Sequence, residues 1–227
     1  MLKRLLLVPL LVLLASSAWA FPQNGVLDSF TGCVDNTTPP NSNWTNAVFI
    51  GASSSTVDCE DLAATSTTGA TEADAYYNVT IFNANSEAYG KAATGFGSAD
   101  ELGVCVRLVN IGANTTDGYC VYLENTPNTL KIFRIDNGVG TLLGSGVSIS
   151  PVAGDQAGIS AIGSQICSWF KTAAGSFGAA RECVTDATYS AGGRIGISII
   201  GAAAVGTLDD FGGGNVSVSR GQPLFLE

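Results

Sequence analysis

LGVCVRLVN (residues 102–110), GYCVYLEN (118–125) and TLKIFRID (129–136) are three runs of β-branched, aromatic and aliphatic residues that decide the predicted fold. Asn, Asp, Gly and Pro lie between the runs, where they favour tight turns. Short apolar runs bounded by such residues are typical of strands. The stretch therefore predicts a three-stranded antiparallel meander.

The cysteines give this meander a register. Folding the first run onto the second about the turn 112–117 places Cys105 opposite Cys120, at a Cα separation that a disulfide tolerates. Because side chains alternate along a strand, each strand then has two faces. The face predicted as core carries Leu102, Val104, Val106, Tyr119, Val121 and Leu123. The opposite face carries Cys105, Arg107, Cys120, Tyr122 and Glu124, with Lys131 opposite Tyr122 and Phe133 opposite Cys120.

Similar short runs recur every eight to twelve residues along the chain, and no segment shows a convincing helical period. This spacing favours an all-β, antiparallel two-sheet sandwich over alternating strands and helices. We find no linker and no internal repeat, so residues 21–227 are predicted to form one domain. Further strands are predicted at Val26–Phe30, Ala47–Ala52, Val57–Ala63, Ala73–Phe82, Val139–Ile149, Gln156–Ile162, Gln165–Lys171, Ala179–Thr185, Arg194–Ile200, Val205–Phe211 and Asn215–Ser219.

Residues 1–20 have the three parts of a signal peptide. Lys3 and Arg4 are basic, residues 5–14 form an apolar run, and Ala18-Trp19-Ala20 supplies the small-x-small cleavage pattern. The run is shorter than the roughly 20 residues that span a bilayer. We therefore expect export, a secreted or cell-surface location, and no membrane insertion after the segment is removed.

The six cysteines all lie in the exported part, and an even number there predicts three disulfides. The hairpin register pairs Cys105 with Cys120. A second hairpin about Gly175 pairs Cys167 with Cys183 in the same way, which leaves Cys33 to pair with Cys59.

Composition excludes several kinds of function. The chain has no histidine, which removes Ser-His-Asp and Cys-His catalysis and His-containing zinc sites. Residues 21–227 contain eight of the ten basic residues and all nineteen acidic ones, a formal net charge of −11. Nucleic acid is not an expected partner, because neutralising phosphates requires clustered Lys and Arg.

Longer motifs show a resemblance to a known superfamily. DGYCVYLEN, the Gly154-Asp155 turn, GRIGISI and the closing LDDF are similar to the concanavalin A-like lectin and glucanase jelly roll, and most similar to its laminin-G-like modules. The resemblance covers about residues 30–216. It implies a jelly-roll β-sandwich, and it implies a glycan-binding, adhesive or polysaccharide-degrading role without choosing among them.

The hydrolases of this superfamily carry catalytic carboxylates on one strand as Glu-x-Asp-x-x-Glu. The best match here is Glu72-Ala73-Asp74, and Tyr77 stands where the second Glu belongs. Half of the required carboxylate pair is therefore missing. A lyase would need a base and a charge neutraliser, for which Tyr122 and Arg107 are candidates without a supporting motif.

Glycan binding requires aromatic faces beside polar groups on a sheet surface. Aromatic and cationic residues recur beside two of the predicted disulfides. The alternative is that these faces are buried against a loop or the opposing sheet, since Trp is mostly buried in proteins. The candidate ligand-binding residues are Tyr122, Trp169, Arg107, Lys131 and Arg181.

Calcium is a candidate structural cofactor, because its ligands are carboxylates and carbonyls. Related sandwiches carry calcium at a loop rim or where terminal strands meet. Asp28, Asp209 and Asp210 would converge if the first and last strands paired. Asp is also common in turns, which is the alternative explanation.

Three functions remain open from the sequence. The first is a secreted, non-catalytic lectin-like module that binds a glycan or another surface ligand. The second is a structural or adhesive surface protein that assembles through strand edges or through an exchanged N-terminal strand, residues 21–26. The third is a polysaccharide hydrolase or lyase.

Overall fold

A computed structural model describes residues 20–51, 55–61, 63–68, 71–94, 96–97, 100–200 and 207–218. Within these residues the chain forms strands and no helix, so no helix suited to crossing a membrane occurs there. All but the last residue of the predicted signal peptide lies outside this range. The strands are β1 (Val26–Asp28), β2 (Trp44–Ala47), β3 (Val57–Glu60), β4 (Ala63–Ser66), β5 (Ala73–Tyr77), β6 (Ser86–Ala92), β7 (Glu101–Val109), β8 (Asp117–Glu124), β9 (Thr129–Asp136), β10 (Val139–Ser148), β11 (Gln156–Ile162), β12 (Gln165–Lys171), β13 (Glu182–Thr185), β14 (Arg194–Ile200) and β15 (Leu208–Asn215).

The strands form two antiparallel sheets. The eight-stranded sheet has the order β13-β12-β11-β6-β15-β4-β3, and β1 pairs with β15 beside this path. The seven-stranded sheet has the order β10-β9-β8-β7-β14-β5-β2. The predicted all-β two-sheet sandwich is confirmed. The first and last strands, β1 and β15, pair with each other, which is the condition stated above for Asp28, Asp209 and Asp210 to converge.

The core lies between the sheets and uses the predicted inner face of the meander. Leu102, Val104, Tyr119, Val121 and Leu123 are all fully buried. They pack in one cluster with the inner faces of β11 and β14, because residues of alternating parity point to opposite sides of a sheet. The predicted register also holds, with Tyr122 opposite Lys131 and Cys120 opposite Phe133.

All three predicted disulfides are present. Cys105 bonds to Cys120 and Cys167 to Cys183, each pair directly opposed across neighbouring strands. Cys33 bonds to Cys59 and ties the N-terminal loop to β3. No described cysteine is left free.

The predicted direction of Arg107 is wrong because a bulge interrupts β7. The pairing steps from Val106–Tyr119 to Val109–Asp117, and Arg107 takes a left-handed backbone conformation with φ of 54°. A bulge places an extra residue in one strand and turns its side chain to a new direction. Arg107 is therefore buried and donates from Nε, Nη1 and Nη2 to three backbone carbonyls, those of Ala84, Tyr189 and Gly163.

Three other strand predictions are corrected. The strand predicted at 47–52 lies earlier, as β2, and a loop follows it because the Asp74 carboxylate binds the amide of Phe49. The strand predicted at Val57–Ala63 is two strands, β3 and the beginning of β4. The closing segment forms one strand, β15, in which Gly212 leaves room for the Tyr89 ring rather than making a turn. Parts of the first and last predictions, residues 52, 205–206 and 219, lie outside the described residues.

Candidate functional site

The outer face of the seven-stranded sheet carries two adjacent rows of polar side chains. Pairing between strands aligns Asp74, Ser198, Gly103, Tyr122 and Lys131 in one row across five strands. The next row aligns Ile200, Glu101, Glu124 and Thr129, and Glu72 precedes β5 at the same level. The sheet therefore brings three glutamates from separate parts of the chain to one surface.

A cavity of about 240 Å³ lies over these rows. It is a little smaller than the roughly 300–1,000 Å³ pockets of drug-sized ligands. We call it the glutamate cleft. Its lining residues are Ile50, Glu72, Glu101, Tyr122, Glu124, Phe133, Gly140 and Ile200.

Tyr122 forms the floor of the cleft and reaches across β7. Its hydroxyl donates to Glu72 Oε1 at 3.0 Å and contacts Ser198 Oγ at 3.2 Å, while Ser198 Oγ donates to the same Glu72 oxygen at 2.6 Å. Gly103 permits this path, since a Cβ there would lie 2.8 Å from the Tyr122 ring. Gly103 thus lets the Tyr122 side chain cross over β7.

The carboxylates of the cleft repel one another, and Lys131 is a cationic neighbour of Glu124 and Glu101. Burial raises the pKa of Glu72. Burial, followed by repulsion from Glu124 and Glu72, raises the pKa of Glu101, and Lys131 opposes this rise. Glu124 accepts an ion pair from Lys131 Nζ at 2.7 Å.

A loop covers one side of the cleft. Phe49 is fully buried against the outer face of the sheet, and its amide donates to Asp74 Oδ2 at 2.6 Å. Thr116 Oγ1 donates to the carbonyl of Val48 at 2.7 Å. Asp74 is completely buried, and burial, with repulsion from Glu72 second, raises its pKa well above the usual range. These bonds hold Ile50 at the edge of the cavity.

We predict that Tyr122→Phe raises the pKa of Glu72 further. The hydroxyl stabilises the ionised form of Glu72, so its removal favours the protonated form. Titration of the side-chain carboxyl carbon by NMR measures the change. Tyr76→Phe, on the same outer face, is the control and should leave the Glu72 titration unaltered; an unchanged Glu72 pKa in Tyr122→Phe would contradict the assigned hydrogen bond.

The five candidate ligand-binding residues do not converge. Tyr122 lines the glutamate cleft and Lys131 lies beside it, whereas Arg107 is committed to three carbonyls inside the fold. Arg181 lies over the ring of Phe170, which belongs to the sandwich core, and not beside Trp169 as the hairpin register predicts. The predicted register of this hairpin holds through Cys167–Cys183 and Ser168–Glu182, and Arg181 precedes β13.

Trp169 lies on the outer face of the eight-stranded sheet, beneath the N-terminal segment. The Phe21 ring stacks on the indole at a centroid distance of 4.6 Å, and Trp169 Nε1 donates to Ser160 Oγ at 2.9 Å. Phe177 packs edge-on against Phe21. Trp169 is only 6% exposed. The predicted sugar-stacking surface at Trp169 is therefore wrong, because Phe21 covers it.

The N-terminal segment is fixed to its own chain. Glu87 Oε1 accepts hydrogen bonds from the amides of Gln23 and Asn24, both at 2.7 Å, and from Asn24 Nδ2 at 2.8 Å. Gly158 makes room for the Phe21 ring, which a Cβ would meet at 2.3 Å. The hypothesis of an exchanged N-terminal strand finds no support in these contacts.

The predicted calcium ligands also do not converge. Asp28 accepts hydrogen bonds from Asn41 Nδ2 and Trp44 Nε1, both at 2.7 Å. Asp209 and Asp210 form ion pairs with Lys91, whose ammonium stands where a metal would be required. In the part of the chain that the structure describes, no three His, Cys, Asp or Glu side chains are grouped to hold a metal ion.

Sequence reasoning missed Glu101 as a member of the site. Glu101 precedes the quoted meander by one residue, and the cysteine register already places it opposite Glu124. Extending that register would have found this pair. Glu72 joins them only through the strand order β5-β14-β7, which no local pattern reveals.

Comparisons with known proteins identify the fold. No protein-family model and no curated protein matches the chain. One similar structure is the carbohydrate-binding module CBM66 from Bacillus subtilis, with 11% identity, a TM-score of 0.53 and coverage of 77% of this chain and 93% of that one. The Ca2+-bound VIP36 exoplasmic/lumenal domain has 10% identity, a TM-score of 0.54 and coverage of 87% and 92%. The potassium-bound carbohydrate recognition domain of Emp46p has 11% identity, a TM-score of 0.52 and coverage of 85% and 97%.

These identities are low, so the likeness concerns the fold alone. CBM66 and the Emp46p domain are carbohydrate-binding domains by their names. The chain therefore has the concanavalin A-like jelly-roll fold that its motifs predict.

Proposed function

We propose that this chain is a secreted lectin-like module that binds a glycan in the glutamate cleft. The observation that carries the proposal is the cleft itself, in which carboxylates lie beside the half-buried ring of Phe133. Carboxylate oxygens accept hydrogen bonds from sugar hydroxyls, and an aromatic ring packs against the C–H face of a sugar. Tyr122 and Phe133 meet edge to face at 5.6 Å, which fixes the Phe133 ring at the wall.

Two further observations support this function. The structures with the same fold are named as carbohydrate-binding domains, and VIP36 is described with mannose and with Man3GlcNAc bound. Three disulfides are typical of proteins from an oxidising compartment, which accords with secretion and with the predicted signal peptide.

Binding to a glycan array tests the proposal, with Phe133→Ala as the variant. We expect this change to weaken binding by about tenfold, equivalent to about 1.4 kcal/mol, because the sugar loses its apolar wall. Phe177→Ala removes the same side chain, also partly buried, from the outer face of the other sheet and should leave affinity unchanged.

Two results would contradict the proposal. One is that the disulfide-bonded protein binds no glycan on the array. The other is a loss of binding in Phe177→Ala but not in Phe133→Ala, which would move the site to the eight-stranded sheet.

A further inference from the structure

The glutamate cleft has more acidic than basic groups around it. Glu72, Glu101 and Glu124 line the cavity, and Lys131 is paired with Glu124. Within the described residues, the carboxylate of Glu101 accepts no hydrogen bond from another side chain, and the cleft lining contains no Lys or Arg. Fixed like charges on a rigid sheet cannot separate, so their repulsion persists until a cation or a proton reduces it.

The apolar surroundings strengthen the interactions of the cleft carboxylates. Ile50 and Ile200 form apolar walls, which lower the local dielectric and make each charge interaction stronger than in water.

The cavity shape restricts what kind of cation fits. Phe133 and the two isoleucines offer apolar surface that a bare metal ion would leave unused. A sugar ring with a protonated amine uses both features, because its C–H face packs on the wall while the ammonium donates to carboxylates. The ammonium has three donors, and Glu101 and Glu72 supply acceptors on both sides of Ile200.

We propose that the glutamate cleft selects an amino sugar, that is, a glycan residue with a free, protonated amine. This inference rests on the proposed glycan-binding function and names its ligand class. Neutral and acidic sugars would bind less well, because neither neutralises the cleft and an acidic sugar adds repulsion.

Calorimetry with two disaccharides tests the inference. The probes are the β-1,4-linked disaccharide of glucosamine and its N-acetylated counterpart, which has the same rings without the charges. We expect the amine form to bind at least tenfold more tightly at low ionic strength. Glu101→Gln should weaken binding of the amine form at least tenfold and weaken binding of the N-acetylated probe by a clearly smaller factor, because that probe loses a hydrogen-bond acceptor but no ionic contact.

A matched control separates the cleft from the general negative charge of the chain. Asp61→Asn removes one charge from an exposed position outside the cleft and should leave the preference for the amine intact. Equal losses in Glu101→Gln and Asp61→Asn would overturn the inference, since attraction would then be nonspecific.

The remaining outcomes distinguish this inference from the proposed function. Equal or tighter binding of N-acetylated or other neutral glycans, lost in Phe133→Ala, would overturn the amine selectivity and keep the glycan site. Binding to none of the sugars on the array, nor to either disaccharide, would overturn both.

Discussion

Arg107→Met should lower the free energy of unfolding by about 3–5 kcal/mol, because the backbone carbonyls of three loops lose their buried donor at once. Each hydrogen bond from a charged donor contributes about 1.5–3 kcal/mol, and water replaces part of it at Gly163, which is exposed. Methionine fills much of the same space, so the loss reports on the hydrogen bonds more than on a cavity. Urea denaturation followed by tryptophan fluorescence, with the disulfides intact, measures the change.

Arg181→Met provides the matched control. Arg181 is exposed and its guanidinium lies over the Phe170 ring, so we expect a change within about 0.5 kcal/mol. If Arg107→Met also cost less than 1 kcal/mol, the guanidinium would not be the element that holds the loops at residues 84, 163 and 189 together.

Asp58 should make the protein less stable as pH rises from about 4 to 6. Asp58 is 5% exposed and its Oδ1 makes no hydrogen bond within the described residues. Burial, with repulsion from Glu60 second, raises the pKa of Asp58 to about 6 from its ordinary 3.8. Between these values the unfolded chain loses the proton while the folded chain keeps it, so rising pH favours unfolding.

The size of this effect follows from the pKa difference. Each pH unit in the window costs about 1.4 kcal/mol for a fully titrating group, and solvent screening reduces the total to about 2 kcal/mol. The free energy of unfolding should therefore fall by about 2 kcal/mol less between pH 4 and 6 in Asp58→Asn, and this variant should be more stable than the original protein at pH 7. Urea midpoints at four pH values measure it, and Asp61→Asn, at an exposed position, should keep the original slope. A slope equally steep in Asp58→Asn would place the titrating group elsewhere.

The register of the meander could be predicted because a covalent constraint fixes it. Cys105 and Cys120 can bond only when directly opposed, and a slip of one residue would turn every core side chain outwards. The same constraint gives the Cys167–Cys183 hairpin. These two bonds made three strands of the seven-stranded sheet and the β12-β13 edge of the other sheet predictable from local spacing.

The bulge at Arg107 could not be predicted in the same way. Its cause is the set of carbonyls at residues 84, 163 and 189, which belong to loops remote in sequence from β7. Strict alternation is the expectation for a strand without such partners. The prediction for Arg107 was therefore wrong because of long-range hydrogen bonds, which strand propensity does not describe.

Both aromatic candidates are covered for reasons beyond their own strands. Trp169 alternates outwards as predicted, yet Phe21, from the other end of the chain, covers it. Tyr122 also alternates outwards, but it is only 5% exposed, because Gly103 lets its ring lie across β7 with the hydroxyl on Glu72. Local patterns predict on which face of the sheet a side chain lies. Whether that side chain is exposed depends on the tertiary structure.

The neighbouring chain ends have a consequence for display. Asn24 donates to the carbonyl of Asn215, and the amide of Ser217 donates to the Gln23 side chain, so both described ends leave the eight-stranded sheet together. The glutamate cleft opens on the outer face of the other sheet. A bead, surface or fusion partner joined through either end would therefore anchor the domain from behind and present the cleft to the surrounding solution.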